Sequence, residues 1–294
     1  MKFGDQSRRE MMKFAARLGL AGLAAGTGFH PSLGASMAGQ SSLKIGICDW
    51  MVGKRSDPAA LEAAMRLGLD GVMVDMGNPK NGFPPVKPEV QKQYLATSAA
   101  TKVQVASVAL GILNELPYKS DPRAQQWVAD SIEVSRAFHT HVVLLAFFAN
   151  GDLKNDQKGT DAVIQRLKEI APQAEKAGVT LGVESWLSAE EHMAILDGVG
   201  SNAVQVYYDL GNSHKMGYDI YKEIRFLGKH ICEFHAKDYD GLFGKGTINF
   251  PQVRRAMDDI HYRGWIHIES GSTEEDFANN GRYLRSTLQG HATS

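Results

Sequence analysis

Four apolar runs in the second half of the chain each end in an acid or an imidazole. Glu184 stands in "GVES", Asp209 in "YYDLGNSH", His235 in "FHAKD" and Glu269 in "HIES". Three carboxylates and one imidazole brought to one place would repel one another unless something positive lay between them. A divalent cation is the simplest such species. Oxygen-rich ligation with one nitrogen suits Mn²⁺ or Mg²⁺, with Co²⁺ and Zn²⁺ as further candidates. On an octahedral ion, four protein ligands leave positions open for two adjacent substrate oxygens. A structural ion pair would account for any one of these residues alone. The set of four, at matched depth on successive elements, is what argues for a metal.

Matched depth requires a regular scaffold, and the pattern from residue 43 onward predicts one. Short apolar runs alternate with amphipathic stretches. The runs are "LKIGICD", "GVMVDM", "VQVASVAL" and "HVVLLAFF", then "VTLGVES", "AVQVYYDL", "ICEFHAKD" and "WIHIES". Strand side chains alternate between two faces. Val179, Leu181 and Val183 therefore oppose Thr180, Gly182 and Glu184. In the same way Val204, Val206 and Tyr208 oppose Gln205, Tyr207 and Asp209. Cys232, Phe234 and Ala236 oppose Glu233, His235 and Lys237, and Ile266 with Ile268 opposes Trp265, His267 and Glu269. Helical periods lie between, such as Val163, Leu167, Ile170 and Ala174. Pro58, Pro88, Pro122 and Pro251 sit near helix starts, where a missing N–H costs little. Eight strands alternating with helices in one domain of about 250 residues predict an α/β fold, a (β/α)8 TIM barrel. Its strand ends at the C-terminal rim are where such barrels place active sites. A doubly wound sheet competes, but no G-x-G-x-x-G follows the first strand.

The 294-residue chain is 43% hydrophobic with a formal net charge of -1. That near-neutral balance gives no electrostatic reason to expect nucleic acid as a partner. The two cysteines, Cys48 and Cys232, support no disulfide framework and read as buried thiols. The first 38 residues differ from the remainder. Arg8-Arg9 precede the mildly apolar "FAARLGLAGLAAGTGF", and Ser36-Met37-Ala38 offers a small-x-small cleavage signal. This segment resembles the bacterial twin-arginine (Tat) export signal. The expected division is a signal over 1–38 and the barrel over 39–294, with the Tat machinery as partner and a periplasmic or secreted destination. No stretch is apolar enough to persist as a membrane span.

"GVES", "YYDLGNSH", "FHAKD" and "HIES" together resemble the xylose isomerase-like TIM-barrel superfamily of sugar isomerases and epimerases. The order Glu, Asp, His, Glu on strands five to eight carries most of that resemblance, which covers the whole chain after the signal. In the epimerases related to D-tagatose 3-epimerase the four matching positions hold a divalent metal. The two glutamates also exchange protons with opposite faces of the sugar. The resemblance thus implies that Glu184 and Glu269 are metal ligands and the acid/base pair.

Further substrate-binding candidates surround this set. Lys237 shares the parity of His235 and is placed to meet a substrate oxygen, or else to pair with Glu233 or Asp238. Trp186 offers a face on which a sugar can stack. His214 follows Asp209 in "DLGNSH" and is either a substrate contact or a loop residue. Asn212 occupies a position where ketose 3-epimerases of the superfamily carry histidine, and Gly241 stands where they carry arginine. These departures fit dehydratases and lyases of the superfamily, such as inosose dehydratase, at least as well. Glu190 is spaced like a substrate-binding glutamate of the epimerases, whereas Ser188 to Glu191 also forms an S-x-x-E capping box.

The leading expectation is an exported, metal-dependent sugar isomerase or epimerase that abstracts a proton beside a carbonyl. A keto-sugar or keto-glycoside lyase or dehydratase is the alternative. A phosphodiesterase related to endonuclease IV would need more histidines and a basic face. A non-catalytic sugar-binding barrel has no need of paired proton-transfer carboxylates. The expected partner is a small-molecule sugar, and a second copy of the chain in a homo-oligomer is a further expectation.

Overall fold

The strands run Lys44–Cys48 (β1), Gly71–Asp75 (β2), Gln104–Leu110 (β3), Val142–Phe147 (β4), Thr180–Ser185 (β5), Val204–Asp209 (β6), Ile231–Ala236 (β7) and Trp265–Ile268 (β8). They come from a computed structural model that describes residues 43–289. Each strand pairs in parallel with the next, and β8 returns to β1 through Lys44 opposite Trp265, closing an eight-stranded barrel. The helices that follow successive strands include α1 (Ala59–Arg66), α2 (Pro88–Thr101), α3 (Ala124–Ala137), α4 (Gln157–Ala177) and α5 (Ala189–Val199). Two shorter helices, α6 (Leu210–Lys215) and α7 (Ile220–Leu227), follow β6. α8 (Phe250–Asp259) and α9 (Glu274–Leu284) complete the ring. The fold is the TIM barrel expected from the alternation, with all eight strand positions recovered.

Parity explains the layering. Ile45, Ile47, Val72, Val74, Val143, Leu145, Leu181 and Val183 face outward into one large core shared with the helices. On α4 the buried stripe is Val163, Leu167, Ile170, Ala171 and Ala174, as its period predicts. Fully burying such a side chain contributes roughly 1.5–3 kcal/mol. The opposite parity fills the lumen, where Cys48, Met73, Ala109, Leu144, Ala146 and Tyr207 pack together. Helix starts are fixed by local hydrogen bonds. Asp156 accepts from the Gly159 N–H, and Asn249 accepts from the Gln252 N–H. Ser188 and Glu191 form a complete capping box on α5.

Two strands break strict alternation: β3 carries an extra residue, Ala106, opposite the Val72–Met73 step of β2, and β7 carries one next to the site. The register between β6 and β7 shifts after Val206: Val206 pairs with Ile231, but Tyr207 pairs with Glu233. Cys232 is therefore the extra residue of a β-bulge. Instead of joining Phe234 and Ala236 on the outer face, Cys232 packs against the lumen cluster. A Cβ at Gly182 would stand 2.8 Å from its sulfur, so that glycine leaves room for it. The export signal expected over 1–38 lies outside the described residues. Among the described residues no helix is long and apolar enough to cross a membrane.

Candidate active site and metal centre

Four neighbouring strands deliver the four residues singled out above. Asp209 ends β6, Glu184 and His235 each lie one residue before the ends of β5 and β7, and Glu269 directly follows β8. One ligand atom from each lies within 4.8 Å of the others. His235 Nδ1 is 2.7 Å from Glu184 Oε1 and 3.6 Å from Glu269 Oε2. Asp209 serves twice, since its Oδ1 also accepts the Asn212 N–H at 2.9 Å and caps α6. Its Oδ2 is free to turn inward.

Three groups just outside this set hold it in place. The Trp50 indole N–H donates to Glu269 Oε1 at 3.1 Å, and the Lys237 ammonium donates to Glu269 Oε2 at 2.9 Å. Cys48 Sγ lies 3.4 Å from His235 Nε2. Lys237 stands 3.8 Å from Asp209 Oδ2, so it bridges two ligands rather than pairing with Glu233 or Asp238. Gly211 makes this approach feasible, because a Cβ there would sit 2.7 Å from the Lys237 Cβ.

Burial and charge work against each other here. Burial pushes the Asp209 carboxyl up to about 8; Lys237 opposes that rise while Glu269 and Glu184 add to it. Burial alone would depress His235, but Cys48, Glu184 and Glu269 hold its pKa well above the usual imidazole value. Glu269 behaves in the opposite sense. Burial would raise it, yet the charges on His235 and Lys237 hold it below the usual carboxylate value. Carboxylates so crowded call for positive charge.

The donor set fits a divalent cation. Asp209 Oδ2 is buried with no hydrogen-bond partner, which ordinarily costs a polar atom dearly. It faces the other three ligand atoms. Three carboxylates and one imidazole make an oxygen-rich shell suited to a hard or borderline ion.

Comparison with known proteins agrees with this geometry. A family model described as a xylose isomerase-like TIM barrel matches residues 61–287. The chain belongs to that family. A D-psicose 3-epimerase of Enterocloster bolteae is 26% identical over 127 residues, covering 40% of this chain and 42% of that protein. A 2-epi-5-epi-valiolone 7-phosphate 2-epimerase of Actinoplanes sp. is 24% identical over 177 residues, covering 60% of this chain and 65% of that one. Both matches span less than two thirds of the relative's length. The crystal structure of a D-psicose 3-epimerase with D-tagatose, from Clostridium cellulolyticum H10, shares the fold at a TM-score of 0.71. It is 17% identical, and the match covers 84% of this chain and 100% of that one.

In this xylose isomerase-like barrel a cavity of about 340 Å³ opens above the four ligands. Glu184, Glu269, Lys237, Asn212 and Trp186 line it, as does Tyr239, whose hydroxyl donates to Asn212 Oδ1 at 2.7 Å. Trp186 meets Phe148 edge-on at 5.1 Å. Two candidates fall elsewhere. His214 does not line the cavity; its Nε2 meets Thr247 Oγ1 at 3.0 Å, because α6 turns that face toward the loop after β7. Glu190 is exposed on the first turn of α5, between the capping residues Ser188 and Glu191, and does not line the cavity. Sequence reasoning missed Arg55, Asp75, Asn114 and Glu115, which line the opposite wall. Only Asp75, the last residue of an otherwise apolar strand, carried a signal that would have found it.

Proposed function

We propose that this chain is a divalent-metal-dependent sugar epimerase or isomerase acting next to the carbonyl of a keto-sugar. The observation that carries this reading is the pairing of Glu184 and Glu269 within one four-residue ligand set at a sugar-sized cavity. Membership of the family, and two relatives named as epimerases, support it.

Glu184, Asp209, His235 and Glu269 would hold the ion. When bound, a divalent ion supplies Lewis acidity toward a carbonyl and the neighbouring hydroxyl. The chain's own residues account for the proton traffic. Glu269, ionised at neutral pH and aimed by Trp50 and Lys237, takes the proton from the carbon beside the carbonyl. Lys237 stabilises negative charge as it develops on the substrate oxygen. Glu184, within hydrogen-bond reach of His235, returns a proton to the opposite face and the carbon is inverted. Exchange with solvent then restores both carboxyls. Return of the proton to the adjacent carbon gives aldose–ketose isomerisation instead. Loss of a leaving group one carbon further on gives elimination, the alternative that the departures at Asn212 and Gly241 fit at least as well.

Mn²⁺ is the ion we expect to support turnover best, with Mg²⁺, Co²⁺ and Zn²⁺ as competitors. The twin-arginine segment is proposed to send the barrel across the membrane by the Tat route. The chemistry is tested by incubating keto-sugars and keto-glycosides with metal-loaded protein in deuterated water. Sugar of unchanged composition bearing one solvent deuteron is the expected product. Release of water or an alcohol would assign a lyase, and the absence of any exchange across the panel would refute proton abstraction.

A further inference from the structure

The half of the mouth built by β1 to β4 takes no part in the metal set, yet its wall is polar. Arg55, in the loop after β1, lies over the Trp50 ring at 5.5 Å and pairs through Nη1 with Asp75 Oδ2 at 3.1 Å. Asp75 is buried, and its other oxygen accepts the Gly77 N–H at 2.7 Å. A Cβ at Gly111 would stand 2.7 Å from Asp75 Oδ2 and 3.5 Å from Arg55 Nη1, so the backbone leaves space for this pair. Asp75 is thereby spent on holding the guanidinium. The Arg55 side chain keeps 52% exposure, and among the described residues its Nε and Nη2 meet no acceptor. Asn114 uses Oδ1 to accept the Phe148 N–H at 2.9 Å, which leaves its NH₂ group to donate. Glu115 beside it is exposed and brings acceptors. Arg55, Asp75, Asn114 and Glu115 line the cavity that Glu184 and Glu269 also line.

A loop clamp would explain the Arg55–Asp75 pair by itself. It does not explain why the unspent donors belong to the wall of the reactive cavity. Charge narrows what they can read. Arg55 and Lys237 are set against Asp75, Glu115, Glu184 and Glu269 in the lining, so an anionic ligand finds no surplus of positive charge. Interleaved donors and acceptors beside the Trp50 ring suit uncharged hydroxyls and a sugar face. We infer that Arg55, Asn114 and Glu115 form a second carbohydrate subsite. The substrate class is then a keto-sugar carrying a further uncharged sugar, rather than a free monosaccharide or a phosphosugar. The inference rests on the sugar reading of the reacting end, but on its ligand and not on its proton chemistry.

Binding separates the two. Mn²⁺-loaded protein is titrated by calorimetry with a panel of uncharged disaccharides, their component monosaccharides and the corresponding 6-phosphates. At least one disaccharide is expected to bind about 10- to 100-fold more tightly than its components, as loss or gain of hydrogen bonds to a charged group implies. Arg55→Ala should erase that difference while leaving monosaccharide binding unchanged. Asn114→Ala, which keeps the Arg55–Asp75 pair, should erase part of it, so a misfolded loop in the first variant does not decide the matter. Equal binding of one and two rings, tighter binding of the phosphates, no binding of any disaccharide, or equal loss for every ligand would each overturn the proposal. Turnover is not read, so failure of Glu269→Gln to stop catalysis would sink the proton-transfer reading and leave this result standing.

Discussion

The barrel lumen holds two polar layers drawn from the same residue types. At the rim are Glu184, Asp209, His235 and Glu269. One step down, on the same strands, are Tyr207, Glu233 and His267. The lower layer is sealed: all three residues are at most 2% exposed. Tyr207 and His267 share a 2.9 Å hydrogen bond, and Glu233 approaches His267 Nδ1 at 3.6 Å. Burial pushes Glu233 up to about 8 and holds His267 well below the usual imidazole value. With both groups driven neutral, the 3.6 Å approach is a polar contact and not an ion pair. The rim layer has three carboxylates, one of them held ionised, and a cavity above it. A carboxyl and an imidazole serve packing in the lower layer and charge at the rim, where three carboxylates converge instead of one.

Exchanging the equivalent residue in each layer should break the symmetry most visibly. Glu269→Gln is expected to lower solvent-deuterium exchange into substrate by about 10²–10⁴-fold. Glu233→Gln, whose carboxyl is already neutral, should leave it within about twofold. Similar losses in both variants would mean that the rim has no special role.

A histidine outside the lumen shows what a neutral buried imidazole costs. His192 is 2% exposed; its ring approaches Ser185 Oγ and the Ser188 carbonyl, each at 3.0 Å. Burial lowers its pKa to about 4. Its folded pKa is depressed, so between pH 6.5 and 4 the unfolded chain binds a proton that the folded chain refuses. Stability is therefore lost as pH falls through that window, by about 3 kcal/mol at most. The gap in urea stability between wild type and His192→Gln should narrow on going from pH 7 to pH 4.5. A constant gap would contradict the depressed pKa.

Metal addition sharpens the contrast between the layers. At about 100 times its dissociation constant, Mn²⁺ should stabilise the fold by about 2.7 kcal/mol and raise Tm accordingly. Asp209→Asn should remove most of that shift, whereas Glu233→Gln should retain it. The smallest effect is expected from Tyr207→Phe, which deprives His267 of its hydrogen bond at a cost of about 1 kcal/mol. A denaturant midpoint will measure it, and an unchanged midpoint would show the lower network to be dispensable.

Much of this was legible before any coordinates, for a local reason. The pleat forces side chains to alternate, so an apolar parity ending in Glu184, Asp209, His235 or Glu269 places each of them in the lumen from its own strand alone. What could not be read depends on distant parts meeting. Arg55 and Asp75 come together only because Gly111, on a third strand's loop, leaves space. His214 follows a ligand by five positions but is carried to the wrong side by α6. Cys232 obeys alternation on paper and departs from it because β6 offers one residue fewer than β7 over the same length.

That last mismatch has a consequence for what the chain can tolerate. The bulge sets the phase of β7, so Glu233 and His235 face inward together with Tyr207 and Asp209. Deleting one residue upstream of Glu233 would close the bulge and leave the histidine where it is, whereas a deletion between Glu233 and His235 would rotate the imidazole into the helical layer. The first change trims slack from the strand; the second removes a ligand without altering any residue type at the mouth.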